Sequence, residues 1–214
     1  AMLEAGGASV TLAGFHRGGP TAPVRGTTRP IDLGQTHDGR FAQRLAAIAR
    51  ASLALGGKFA SVATPDVIVA RNLEMLALAM RLRARFGGRV PVVYECLDIH
   101  RLLLRRDALG AIMRMAERRL ARDVSLLVTS SPAFLREYFA PFRQVGGPAL
   151  LLENKVLELA DAPVAAPPGS PPAGEPWRIG WFGALRCRRS LALLAAFTRR
   201  MGGRFEVVLR GRPA

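Results

Sequence analysis

Asp66–Leu97, DVIVARNLEMLALAMRLRARFGGRVPVVYECL, is the stretch that decides the fold. Asp66–Arg71 is a short apolar run that reads as a buried strand. Asn72 stands where a helix cap belongs, and Leu73, Leu76, Ala77, Met80 and Ala84 recur at helical spacing until Gly87-Gly88. Val90–Leu97 is a second strand, apolar along most of its length. Strands of this kind alternating with helices mean a parallel sheet covered on both faces.

The rhythm continues towards the carboxyl end. Ala108–Arg122 is predicted as a helix burying Leu109, Ile112, Met113, Ala116 and Leu120. Val124–Thr129 follows as a strand, Pro132–Phe139 as a short helix with proline in its first turn, and Ala149–Val156 as a last strand. Towards the amino end, Phe41–Leu55 is a helix with Phe41, Leu45, Ile48, Ala49 and Leu53 on one face, ended by Gly56-Gly57. His16–Gly39 is loop-like, with Ile31–Leu33 a short edge strand. Ala8–Phe15 is a strand, and Ala1–Ala5 the last turn of a helix. The fold class is α/β, a doubly wound parallel sheet over residues 1–159.

Residues 160–176 are rich in proline and small residues, which marks a stiff linker and a domain boundary. Beyond it the pattern restarts with WRIGWFGALRCRRS, Trp177–Ser190. This is a strand, a glycine, and an arginine-rich loop running into the helix Leu191–Met201, followed by the strand Phe205–Arg210. Ser190 is the expected helix cap. Residues 177–214 are therefore the start of a second α/β domain, too short to enclose a core of its own. The opening AMLEAGGASV begins as if inside a helix, so the expectation is a fragment cut at both ends.

Half of the residues are hydrophobic and 22% are charged, which describes a globular chain with a sizeable core. The net charge is +15, and only two of the 31 basic residues are lysines, Lys58 and Lys155. That charge predicts attraction to phosphates, anionic lipid or nucleic acid without choosing among them. Two distant cysteines, Cys96 and Cys187, argue against a disulfide framework or a structural zinc site. No apolar run approaches the roughly 18–20 residues that cross a bilayer. H-E-x-x-H, a P-loop and an intact G-x-G-x-x-G after a strand are all missing from the sequence.

In an open parallel sheet, ligands bind outside the carboxyl ends of the strands. The candidates there are Arg71 and Asn72, then Glu95, Asp98 and His100, then Ser130 and Ser131, and Asn154 after the last strand. Gly183, Arg186, Arg188, Arg189, Ser190 and Gly211 hold the equivalent places beyond the linker. Asp98-Ile99-His100 has two readings. A histidine near a carboxylate can donate to a substrate hydroxyl or move a proton; alternatively, Asp98 only caps the next helix. Arginines beside a helix N-terminus suit a phosphate, since free N–H groups and the positive end of the dipole meet there. Arg101, Arg105 and Arg106 begin a basic, leucine-bearing segment suited to an anionic membrane surface.

Together the phrases DVIVARNLEMLALA, VVYECLDIHRLL, ERRLARDVSLLVTSSPAFLREYF, LLENKV, WRIGWFGALRCRRSLALLAAF and FEVVLRGRP resemble the family 4-like glycosyltransferases of the GT-B fold. The likeness is greatest to bacterial enzymes of exopolysaccharide assembly. It implies two Rossmann-like domains, the first holding the acceptor and the second a nucleotide-sugar donor. It further implies catalytic roles for His100 and Asp98, and a donor-diphosphate site at Gly183, Arg186, Arg188, Arg189 and Ser190. Arg71, Asn72, Ser130, Asn154 and Gly211 would line the cleft.

The implied enzyme is a retaining hexosyltransferase with no metal or other cofactor. It would take a UDP- or GDP-hexose to a lipid-linked saccharide, in the cytoplasm or at the inner membrane face, without nucleic acid. Two departures stand out. The family's first strand with its glycine-rich loop would precede Ala1, and its acidic donor element would follow Ala214. A fragment without them is expected to be inactive. The competing readings are a non-catalytic basic binding protein for nucleic acid or acidic partners, and a nucleotide-sugar epimerase.

Overall fold

The computed structural model describes residues 2–16, 30–36, 41–153, 169, 174–185 and 187–213. The chain divides into two compact units, Ala1–Val156 and Leu157–Ala214. The proline-rich linker lies almost entirely outside the described residues.

The first unit opens with a helical turn α1 (Met2–Ala5) and the strands β1 (Ala13–His16) and β2 (Ile31–Gln35), which pair in parallel. The strand expected from Ala8 starts only at Ala13. The first rung is the Ile31 N–H to the Leu12 carbonyl, and among the described residues the backbone before it has no partner strand. Helix α2 (Phe41–Lys58) runs through Gly56-Gly57 instead of stopping there. Each glycine costs up to about 1 kcal/mol relative to alanine, and burial of Leu55 and Phe59 on either side offsets it. The inward face of α2 is Ala47, Ala51 and Leu55; the expected Leu45 and Leu53 point outward.

The main sheet is β3 (Ile68–Arg71), β4 (Val92–Cys96), β5 (Leu126–Thr129) and β6 (Ala149–Leu151), in that order and all parallel. Helix α3 (Asn72–Arg85) is buried on two sides. Leu76 and Ala79 join Val92, Tyr94, Cys96 and Leu127 in one core. Leu78 and Leu82 join Leu33, Ala51, Leu55 and Phe59 in another. An Arg44–Glu74 ion pair ties α2 to α3.

Helix α4 (Ala108–Ala121) keeps Met113 and Leu120 of its expected face against the core but turns Leu109, Ile112 and Ala116 outward. Gly110, Glu117 and Ala121 are buried, while Leu109 is 43% exposed, Ile112 55% and Met115 62%. The reason lies in Gly110, where a Cβ would collide with the Arg105 carbonyl. The turn before the helix packs so closely that only glycine fits, which fixes the rotation of the whole element.

After β5 the chain forms α5 (Pro132–Phe134), a π-turn Leu135–Phe139 and α6 (Ala140–Phe142). The wider turn buries both Tyr138 and Phe139, whose rings meet edge-on at 5.1 Å. In the second unit, β7 (Trp177–Leu185) and β8 (Phe205–Pro213) pair in parallel around α7 (Arg188–Arg200). Strand β7 continues two residues past Gly183 instead of ending there.

Candidate functional site

In the first unit, the carboxyl ends of β3, β4 and β5 lie side by side, as the register Arg71↔Glu95 and Cys96↔Thr129 requires. Arg71 and Glu95 form a two-point ion pair, Nε to Oε2 at 2.7 Å and Nη2 to Oε1 at 3.2 Å. Asn72 does not cap α3. It is the first helical residue, in the left-handed region at φ 67°, and the capping position falls to Arg71, whose side chain makes no cap bond. The Asn72 Oδ1 is buried without a hydrogen-bond partner. Strain of this kind concentrates at ligand sites, and Asn tolerates it better than other non-glycine residues.

Beyond β4, the Cys96 thiol donates to the Asp98 carbonyl at 3.6 Å, and burial pushes that thiol up to about 12. Cys96 is therefore a core residue and no nucleophile. Asp98 is exposed and does not cap the next helix; Asp107 does, accepting from the Gly110 N–H at 3.0 Å. Hydrogen bonding from Arg105, then from Gly110, holds the Asp107 carboxyl down at about 2. His100 is half-buried, and its Nδ1 accepts from the Leu102 N–H at 3.3 Å. In the neutral ring that leaves the proton on Nε2. The Ser130 hydroxyl donates to the Leu97 carbonyl at 3.3 Å, bracing the turn that carries Asp98 and His100. Asn154 lies outside the described residues.

In the second unit, Gly183 and Gly211 face each other across the ends of β7 and β8. Gly183 has φ 119°, and a Cβ on Gly211 would collide with the Gly183 carbonyl. Two glycines here leave the backbone bare, so a ligand can approach it closely. The cap of α7 is Cys187, not Ser190. Its Sγ accepts from the Ser190 N–H at 3.4 Å. The register of the helix therefore shifts. Arg188 and Arg189 are its first residues, both exposed, and Ser190 lies in the first turn. Hydrogen bonding from Ser190 lowers the Cys187 thiol from its ordinary value. Arg186 lies outside the described residues.

The sequence reading missed Cys187 as a cap because thiols are weak acceptors. The C-R-R-S spacing, which lets residue i accept from the N–H of i+3, was the available signal. Among the described residues no group of three or more His, Cys, Asp or Glu could hold a metal ion, and no helix is long and apolar enough to cross a membrane.

A glycosyl transferase 4-like domain model matches residues 1–149. The chain belongs to this glycosyl transferase 4-like family. It is also similar to the succinoglycan biosynthesis protein ExoL of Rhizobium meliloti (strain 1021), with 62% identity over 216 residues. That match covers 99% of the chain and 53% of the relative, so the chain spans about half the length of the curated relative it matches. The family match covers β3 to β5 with Arg71, Asn72, Asp98, His100 and Ser130. The family match ends at residue 149, and the match to the longer relative extends into residues 177–214.

Proposed function

We propose that this chain is part of a glycosyltransferase of bacterial polysaccharide synthesis. It would move a hexose from a UDP- or GDP-sugar to a lipid-linked saccharide acceptor with retention at the anomeric carbon. The donor C1–O bond to the diphosphate breaks, the diphosphate keeps the electron pair, and the acceptor oxygen bonds C1 as its hydroxyl proton passes to the departing diphosphate oxygen. The observation that carries this reading is the second unit's Gly183–Gly211 pair followed by the N-terminus of α7 with Arg188 and Arg189 in its first turn. Bare backbone, the positive end of the α7 dipole and two guanidiniums together suit a departing diphosphate.

His100 and Asp98 are the proposed catalytic residues, as the resemblance to family 4 enzymes implies. Arg71, Asn72 and Ser130 would face the acceptor in the first unit. The work would take place in the cytoplasm, where nucleotide sugars are available. The family match and the similarity to a succinoglycan biosynthesis protein support the pathway assignment.

Calorimetric titration of UDP and GDP tests the diphosphate site. Arg188→Ala with Arg189→Ala should weaken nucleotide binding by at least about tenfold, since hydrogen bonds to charged groups contribute roughly 1.5–3 kcal/mol each. Undiminished affinity in the double variant would remove the phosphate role from α7.

A further inference from the structure

We infer that Arg71 and Asn72 form a subsite for two neighbouring hydroxyls of an uncharged sugar, and that Glu95 is the residue that positions Arg71. The inference rests on the proposed sugar transfer, in which this end of the first unit faces the acceptor. It adds what the site grips and what it turns away.

The Glu95 side chain is 18% exposed and that of Arg71 62%. The carboxylate therefore lies low at the strand ends, and the guanidinium stands over it towards solvent. Their two bonds use the Nε–H and one N–H of Nη2, so three of the five guanidinium donors have no partner among the described residues. Two of these, one on Nη1 and one on Nη2, leave the tip of the group as a parallel pair. Glu95 fixes that pair before any ligand arrives, which lowers the cost of ordering it on binding. Arg178 and Glu206 make a similar cross-strand contact at the amino-terminal end of β7. There a single bond of 3.1 Å joins two well-exposed side chains, the form of an ordinary surface ion pair.

Asn72 follows directly and carries two costs, a left-handed backbone and an Oδ1 buried without a donor. Glycine at this position would avoid both. The second cost is lifted when the amide turns outward and its oxygen accepts from a ligand hydroxyl beside the Arg71 donors.

Charge selects the ligand. A bare arginine would suit a phosphate or carboxylate, but Glu95 already balances Arg71. Asp98, exposed three residues further on, adds another carboxylate to the same loop. An anion on the free N–H pair would therefore meet like charge. A hydroxyl meets none: its oxygen accepts from the guanidinium and its proton goes to the Asn72 amide oxygen. Two hydroxyls on adjacent ring carbons match the two parallel donors.

Titration of the 214-residue chain with methyl glucoside, methyl galactoside and methyl mannoside, without any nucleotide, tests this through the NMR signals of Arg71 and Asn72. At least one sugar should shift both signals saturably, and its analogue lacking one of two adjacent hydroxyls should bind about tenfold more weakly or worse. Arg71→Lys keeps the charge but loses the fork and should weaken sugar binding about tenfold. Arg178→Lys should change nothing. Asn72→Gly should weaken binding about threefold or more while raising the urea midpoint. Glu95→Gln should weaken sugar binding and let inorganic phosphate, which the wild type turns away here, shift the Arg71 signal. A merely structural Glu95 would give no such gain. Circular dichroism checks each fold; if Arg71→Lys or Glu95→Gln unfolds, Asn72→Gly and the wild-type comparison of sugar with phosphate decide. Failure of all three sugars to shift these signals would overturn the proposal. So would tighter binding of phosphate than sugar by the wild type, or full sugar binding by Arg71→Lys. Nucleotide binding at α7 without sugar binding overturns the subsite alone. Sugar binding without nucleotide binding upholds the subsite and removes the diphosphate role from α7.

Discussion

Glu117 has no exposed surface and accepts three hydrogen bonds, from Tyr94 Oη at 2.9 Å, from Tyr138 Oη and from Gln144 Nε2 at 2.9 Å. These donors join α4 to β4 and to the π-turn, which explains how an acid can sit on the inward face of a helix. Burial raises the Glu117 carboxyl from its ordinary value, and the three donors oppose this without cancelling it. The same burial, with Glu117 beside them, raises both tyrosine hydroxyls. The folded state therefore holds a proton on Glu117 more tightly than the unfolded state does. Stability from this site is fully present below the ordinary carboxylate range and is lost as pH rises through the raised folded value. Glu117→Gln removes the charge and keeps the shape, so the variant should gain on the wild type as pH rises from about 5 to about 8. Urea midpoints of the two proteins across that window measure the gain. A difference that stays flat with pH would show that Glu117 is ionised in the fold with no extra affinity for its proton. None of this was legible in the sequence, where nothing marks an acid among helical arginines as buried.

At the scale of elements, two helices carry the same lesson. In α2 and α4 part of the expected apolar stripe turns towards solvent, Leu45 and Leu53 in one and Leu109 and Ile112 in the other, while alanine or glycine takes a share of the inward face beside Leu55, Met113 and Leu120. Where most positions are Ala, Leu or Arg, several faces of a helix are apolar enough to pass for the buried one. Helical period alone then cannot set the rotation. Close approach decides it instead: Ala47 and Ala51 let α2 settle against the Leu78 and Leu82 side of α3, and Gly110 admits the turn before α4. The strands of the main sheet were legible because parallel strands buried along their length leave a continuous apolar run. Of the candidate site residues, the end-of-strand rule placed Arg71, Asp98 and His100. It could not show that Arg71 is held by Glu95 or that Asn72 adopts a left-handed backbone. The rotation of α2 is testable through paired substitutions. Leu53→Ser should lie within about 0.5 kcal/mol of wild type, as for ordinary surface positions. Ala51→Leu should cost about 1–3 kcal/mol by overpacking. Chemical denaturation reads both, and the reverse order would restore the rotation that the sequence predicts.

The two units differ in how much core they own. The first contains both hydrophobic clusters, while no described residue of β7, α7 or β8 is buried. Trp177 is 45% exposed, Phe182 69% and Leu193 63%, so this βαβ unit rests on its strand pairing and on contacts such as Phe197 with Phe205, 4.9 Å between ring centres. A lone pair of strands with one helix is marginal in water, whereas the four-stranded sheet with its packed helices is not. The chain should therefore unfold in two steps. Its aromatic residues happen to separate the steps: both tryptophans, Trp177 and Trp181, lie in β7, and both tyrosines, Tyr94 and Tyr138, lie in the core of the first unit. Tryptophan emission should shift at low urea, while near-ultraviolet tyrosine dichroism and most of the helical signal should persist to a later, steeper transition. A donor nucleotide bound at α7 would raise the first midpoint and leave the second in place, because it binds only the folded form of the second unit. Coincident transitions from the two probes would mean that the second unit draws its stability from the first and that the chain folds as one cooperative body.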